Sequence, residues 1–165
     1  MFTKNFLYKD FIKKKKNKIL IKNLKEIINN KNEIIKSLSN KYRYSYSKNL
    51  TKNLKKYKDI RIFGMGGSSL GANAIYDFLK NKINKNFYFL SNLNKKTFSN
   101  KNYLNLIISK SGNTLETVVN SNIFIKKKDK NILITDNKKN ILRELSRKLK
   151  AEIIDHNNYI GGRYS

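Results

Sequence analysis

Asp59-Ile60-Arg61-Ile62-Phe63-Gly64-Met65-Gly66-Gly67-Ser68-Ser69-Leu70-Gly71 is an apolar run that breaks into glycines and serines and then resumes with helical spacing. It predicts strand, anion loop, helix. Ile60, Ile62 and Phe63 suit a buried strand, while Gly64, Gly66 and Gly67 permit positive φ and let a ligand approach bare backbone. Ser68 and Ser69 can cap the helix that follows. At such a turn the unpaired N–H groups of the first helical turn and the positive end of the helix dipole converge, which favours a phosphate or another anion. The plainer alternative is a structural tight turn. Two familiar glycine motifs do not fit: a dinucleotide fingerprint needs Gly where Ser69 stands and an acid after Phe87-Tyr88-Phe89-Leu90, and a Walker loop needs a closing Gly-Lys-Ser/Thr. A smaller phosphorylated ligand is the expectation.

From this stretch to the end, strands and helices alternate. Leu70, Ala74, Ile75, Phe78 and Leu79 form an apolar helical stripe, Phe87 to Leu90 reads as a strand, and Leu104 to Ser109 as another. A helix over 114–127, a strand over 131–136, a helix over 139–149 and a short strand over 152–154 complete the pattern. The fold class is therefore α/β, a doubly wound parallel sheet covered by helices on both faces, with ligands expected beyond the carboxyl ends of the strands.

Toward the amino terminus the pattern is helical. Leu20, Leu24, Ile27, Ile28, Ile34, Ile35 and Leu38 fall on one broad face, with an interruption expected near Asn29 to Asn32. Before them, the aromatic residues Phe2, Phe6, Tyr8 and Phe11 and the basic cluster Lys13 to Lys16 read as an arm packed on something larger. Ser39 to Lys58 is polar and Tyr-rich, a connecting segment whose rings pack on the domain. The expected organisation is a helical arm with its connection over 1–58 and one sugar-phosphate-binding domain over 59–165.

At 165 residues the chain suits one α/β domain with a real core. Its formal net charge of +26 would ordinarily raise nucleic-acid binding first. The excess is mostly Lys, scattered with Asn and Ile along the chain and without a localised stripe, so a specific nucleic-acid partner is not expected. Such a field still attracts anionic substrates. With no cysteine there is no disulfide, thiol nucleophile or thiolate metal site, and a reducing cytoplasm is compatible. No apolar run approaches the ~20 residues of a membrane span. Neither a metal nor a cofactor is implied.

A second polar loop, Ser109-Lys110-Ser111-Gly112-Asn113-Thr114-Leu115-Glu116-Thr117, places hydroxyls just before another helix. Ser109, Ser111 and Thr114 can donate to a phosphate at that helix terminus. The plainer reading is a capping box, with Asn113 at N-cap and Glu116 reaching back. Two such loops at strand ends can line one phosphosugar pocket.

These two loops, followed in order by Gly161-Gly162-Arg163-Tyr164-Ser165, resemble the successive motifs of the glucose-6-phosphate isomerase family, whose first domain is a sugar isomerase (SIS) domain of flavodoxin-like sandwich architecture. The resemblance spans Asp59 to Ser165. It implies interconversion of glucose 6-phosphate and fructose 6-phosphate in glycolysis and gluconeogenesis, in the cytoplasm, by a protein that is a homodimer at full length. It also implies that Ser109, Ser111 and Thr114 hold the substrate phosphate with support from the Lys110 amide, that Gly67 and Ser68 contact the sugar, and that Arg163 stabilises the enediolate. Many members have Thr-Phe-Thr-Thr where this chain has Ser111-Gly112-Asn113-Thr114. The family's general-base Glu, ring-opening His and C-terminal Lys come later than Ser165, and the lone His156 matches no motif. An amino-terminal portion that binds phosphosugar and lacks the base is the expectation. The alternatives are a stand-alone SIS binding or regulatory module, another SIS isomerase and, further off, a basic nucleic-acid-binding protein.

Overall fold

The computed structural model describes residues 17–30, 32–93 and 97–161. The chain divides into two compact units, 1–42 and 43–165. In the first, α1 (Lys18–Asn29) and α2 (Glu33–Ser37) are separated at the expected interruption. Asparagines start both helices: the side chain of Asn17 accepts from the Ile19 and Leu20 N–H groups, and that of Asn32 from Ile34. The apolar face of α1 exists, but no residue of either helix is buried. The aromatic residues and basic cluster before Asn17 lie outside the described residues.

The second unit opens with α3 (Lys48–Leu54), a helix within the segment expected to be mere connection. Only Leu50 and Leu54 are apolar in it, too few for a visible period. Ser47 supplies the missing signal, since its hydroxyl accepts from Leu50 N–H at 3.1 Å. Leu50 is buried against Ile60, Ile62, Leu104 and Ile132, with Leu54 and Tyr57 beside it.

Among the described residues five strands follow: β1 (Asp59–Phe63), β2 (Asn86–Leu90), β3 (Leu104–Ile108), β4 (Lys130–Thr135) and β5 (Glu152–Asp155). All pair in parallel, in the order β2-β1-β3-β4-β5. The intervening α-helices are α4 (Gly67–Leu79), α5 (Leu115–Phe124) and α6 (Ile141–Leu149). Because side chains alternate along a strand, β1 sends Ile60 and Ile62 to one face and Arg61 and Phe63 to the other. The first face packs with Leu50 and Ala72, from α3 and α4. The second packs Phe63, Leu90, Ile107 and Leu133 with Val118 and Phe124 of α5 and Leu142 and Leu145 of α6. A doubly wound α/β sandwich results, as the alternation predicts.

The stripe expected to bury α4 does not do so: Ile75 and Phe78 are exposed. Ser69, Ala72 and Tyr76 turn inward instead, with Ala72 on the core and the Tyr76 ring 5.0 Å from that of Phe87. Small residues suit this position because the first turn of α4 already lies hard against the sheet at Gly64.

Arg61, in the middle of the pivotal strand, is 2 % exposed. Its Nε donates to Asn105 Oδ1 at 2.8 Å and its Nη2 to Asp129 Oδ2 at 2.7 Å. Asn105 in turn donates to Asn131 Oδ1 at 2.7 Å. The guanidinium also lies over the Tyr103 ring at 4.2 Å. Burial pushes the Arg61 pKa down from its ordinary value, and Asp129 opposes that shift. This network joins β1, β3 and the residues entering β4, so it fixes their register on one face.

Candidate phosphate site at the switch point

The strand order places β1 between β2 and β3. After β1 the chain runs to one side, and after β2 it returns to the other. In parallel sheets that reversal opens a crevice at the carboxyl ends of the two strands. Both polar loops leave from there, one after Phe63 and one after Ile108.

Gly64 shows how closely they meet. A Cβ at this position would lie 3.1 Å from the Ile108 carbonyl oxygen, from Ser68 Cβ and from the Ser68 carbonyl oxygen. A side chain here would press the first turn of α4 away from the end of β3 by a few tenths of an ångström. Gly66, the N-cap of α4, has φ 56 and ψ −125, a conformation open essentially to glycine alone. Among the described residues no side chain caps this helix, and Gly67 and Ser68 form its first turn.

The second loop gathers hydroxyls. Ser109 Oγ, buried, lies 2.8 Å from Thr114 Oγ1 and 3.5 Å from Ser111 Oγ, and it accepts from the Gly112 N–H at 3.1 Å. Ser111 is exposed and Thr114 half-buried, so the cluster reaches from the sheet edge to solvent. It sits at the N-terminus of the ten-residue α5. The N-cap there is Thr114, not Asn113, and its side chain makes no capping bond. The expected capping box is absent because Asn113 is used elsewhere: its Oδ1 accepts from the Ile141 N–H, at the start of α6, at 3.0 Å. The amide groups of the first α5 turn therefore have no N-cap side chain competing with an anion.

Helix α6 braces this loop at two further points. The Gly112 carbonyl accepts from Leu142 N–H at 3.1 Å, and Asn140, the N-cap of α6, packs against Gly112 at φ 69. Asn140 is buried, donates to Thr135 Oγ1 at 3.0 Å and Asp136 Oδ1 at 3.2 Å, and accepts from Arg143 N–H at 2.9 Å. The Gly112-Asn113 pair thus gives a short loop tied to a neighbouring helix. Sequence reasoning missed Asn140 as part of the site's support. Its only local signal was its place before Ile141-Leu142.

The bond from Asn113 yields a prediction. Asn113→Ala removes a side-chain cap and should lower stability by about 0.5–2 kcal/mol in urea denaturation, without changing the slope of the unfolding curve. If Asn113 instead capped α5, the loss of protection from hydrogen exchange would fall on the start of α5 rather than at Ile141 and Leu142.

Lys110 stands between the hydroxyls in sequence, but its ammonium donates to the carbonyl oxygens of Asn158 at 2.6 Å and Ile160 at 2.7 Å. Its own carbonyl accepts from Thr135 Oγ1 at 3.2 Å and from Asp136 N–H at 3.0 Å. His156 lies just beyond β5, its Nδ1 paired with its neighbour's carbonyl at 2.9 Å. Arg163 lies outside the described residues, as does all of 162–165. Among the described residues no acidic or histidine cluster could hold a metal ion, and no helix is long and apolar enough to cross a membrane.

Comparison with known proteins bears on the fold and the family. Two solved structures share the fold: a hypothetical protein of Thermus thermophilus, with TM-score 0.60 and 23% identity over 69% of this chain and 31% of that one, and tagatose-6-phosphate ketose/aldose isomerase of Escherichia coli, with TM-score 0.50 and 23% identity over 66% and 32%. Among curated proteins, glucose-6-phosphate isomerase of Methanocaldococcus jannaschii is 37% identical over 136 residues, covering 73% of this chain and 33% of that protein. That of Borreliella afzelii is 36% identical over 135 residues, covering 68% and 25%. The chain thus matches about a quarter to a third of the length of these relatives. With the family model described as Phosphoglucose isomerase matching residues 11–165, the chain belongs to the phosphoglucose isomerase family.

Proposed function

We propose that this chain is the phosphosugar-binding portion of a glucose-6-phosphate isomerase, acting on glucose 6-phosphate and fructose 6-phosphate in the cytoplasm. The observation that carries the reading is the hydroxyl cluster of Ser109, Ser111 and Thr114 at a helix N-terminus free of a side-chain cap, beside the switch point of the sheet. Hydroxyl donors and helix amides complement a phosphate without placing a mobile charge in the site. Gly67 and Ser68, on the adjoining helix turn, face the sugar. Arg163 supplies positive charge where oxygen becomes anionic in the enediolate. Moving a proton between C1 and C2 requires a base within hydrogen-bond reach of the substrate. On this reading the base comes from the part of the family's length that this chain does not match, so the chain alone binds substrate and turns it over slowly or not at all.

Calorimetric titration of the chain with fructose 6-phosphate, run beside an isomerase assay, tests this. Ser111→Ala combined with Thr114→Ala should weaken binding by about a hundredfold or more, because two hydrogen bonds to a charged group are lost and each contributes ~1.5–3 kcal/mol. Equal binding by the wild type and the double variant would sink the assignment of the phosphate to this loop. Rapid turnover by the chain alone would sink the placement of the base elsewhere.

A further inference from the structure

Lys110 occupies an unusual position for a lysine beside an anion loop. Two of its three ammonium protons are committed to main-chain carbonyls, those of Asn158 and Ile160, two residues apart. The chain from Asn157 to Ile160 closes a turn through an Ile160 N–H to Asn157 carbonyl bond of 3.1 Å, and that turn wraps the ammonium. Gly161 then passes so close that a Cβ there would lie 3.1 Å from Lys110 Nζ. At its other end the turn is fixed by the His156 N–H on the Thr135 carbonyl at 2.8 Å. The Lys110 backbone is held by Thr135 and Asp136, so its side chain is a strut with both ends secured.

From this geometry we infer that Lys110 is a positioning residue: its ammonium fixes the Asn158–Gly161 backbone beside the hydroxyl loop, from which the chain runs directly into Gly162-Arg163. Its contribution to ligand binding is made through that segment rather than by direct contact with the phosphate. The consequence for ligand binding rests on the phosphosugar reading above; the strut itself does not.

The test uses the full chain in three forms: wild type, Lys110→Met, which keeps the aliphatic stem, and Gly161→Ala, which sets a methyl group against an intact ammonium. Amide hydrogen exchange without ligand should be faster at Ile160 by about tenfold or more in Lys110→Met and by less in Gly161→Ala, where the flexible end of the lysine can shift by the few tenths of an ångström the methyl needs, with Ile107 and Leu133 unchanged as a check on the core. In Lys110→Met, fructose 6-phosphate affinity should then fall by about tenfold or more, while inorganic phosphate affinity changes by less than about threefold, because the Ser109, Ser111 and Thr114 hydroxyls are intact and the lost ammonium was spent on main-chain carbonyls. Unchanged exchange at Ile160 in Lys110→Met, with both ligands weakened alike, would make Lys110 a direct anion ligand and overturn the inference. If the wild type bound neither ligand while exchange at Ile160 still rose, the phosphosugar reading would fail and the strut would stand.

Discussion

Asp129→Leu is expected to destabilise the α/β unit by about 3–5 kcal/mol, because it leaves the Arg61 guanidinium buried and without its counter-charge. Arg61 is 2 % exposed, so water does not replace the lost carboxylate without a local opening of the fold. Asn105 accepts one of its protons, but a neutral amide does not replace a carboxylate at 2.7 Å. Single domains are typically stable by only about 5–15 kcal/mol, so a loss of that size shifts the unfolding transition strongly. Its signature is non-additivity. Arg61→Met with Asp129→Leu removes both charges, and this double variant should be more stable than Asp129→Leu alone, although Asn105 Oδ1 then loses the Arg61 donor. Simple addition of the two single effects in urea denaturation would show that the pair is not coupled as the structure has it. The network lies on the strands that carry both loops, so stability and ligand affinity should fall together.

Gly112→Ala is the second large effect, and here the cost is concentrated at the site. At φ 69 an L-residue is strained by about 1–3 kcal/mol. The added methyl would also overlap the side chain of Asn140, which is buried and bonded to Thr135, Asp136 and Arg143. Displacing that N-cap adds roughly 0.5–2 kcal/mol. The expected total is about 1.5–5 kcal/mol, with sugar-phosphate affinity reduced more than about tenfold in the fraction that stays folded, since Ser109, Ser111 and Thr114 would lose their mutual spacing. Asn140→Ala in the same chain should relieve the overlap, leaving the double variant less destabilised than the sum of the two singles. A Gly112→Ala protein with wild-type stability and affinity would contradict the loop geometry described.

Much of this was legible in the sequence, for a physical reason. Apolar runs broken by glycine and serine, alternating with helical spacing, leave few options besides a parallel α/β sheet, and parallel pairing places every strand-to-helix loop at one edge. Gly64 to Ser69 and Ser109 to Thr114 therefore announced the fold and the place of both loops at the carboxyl ends of β1 and β3. What escaped notice was decided at long range. Arg61 finds Asp129 across 68 residues, and Asn113 caps a helix 28 residues away instead of the one it precedes. Local propensity contains neither fact. The rotation of α4 was missed for a related reason: hydrophobic periodicity favoured Ile75 and Phe78, but the close approach at Gly64 turns the smaller Ser69 and Ala72 inward. Helix α3 carries too few apolar residues for periodicity to register, although the Ser47 cap and the burial of Leu50 place it in the α/β unit.

On the proposed reading, a sugar phosphate is held where the β1 and β3 loops meet. Amide chemical-shift mapping of the full chain, titrated with glucose 6-phosphate and separately with glucose, tests it most directly. Shifts are expected at Gly66 to Ser68 and at Ser109 to Leu115 with the phosphorylated sugar, and none at these positions with glucose at the same concentration. Shifts confined to other regions, or the same response to both sugars, would contradict it.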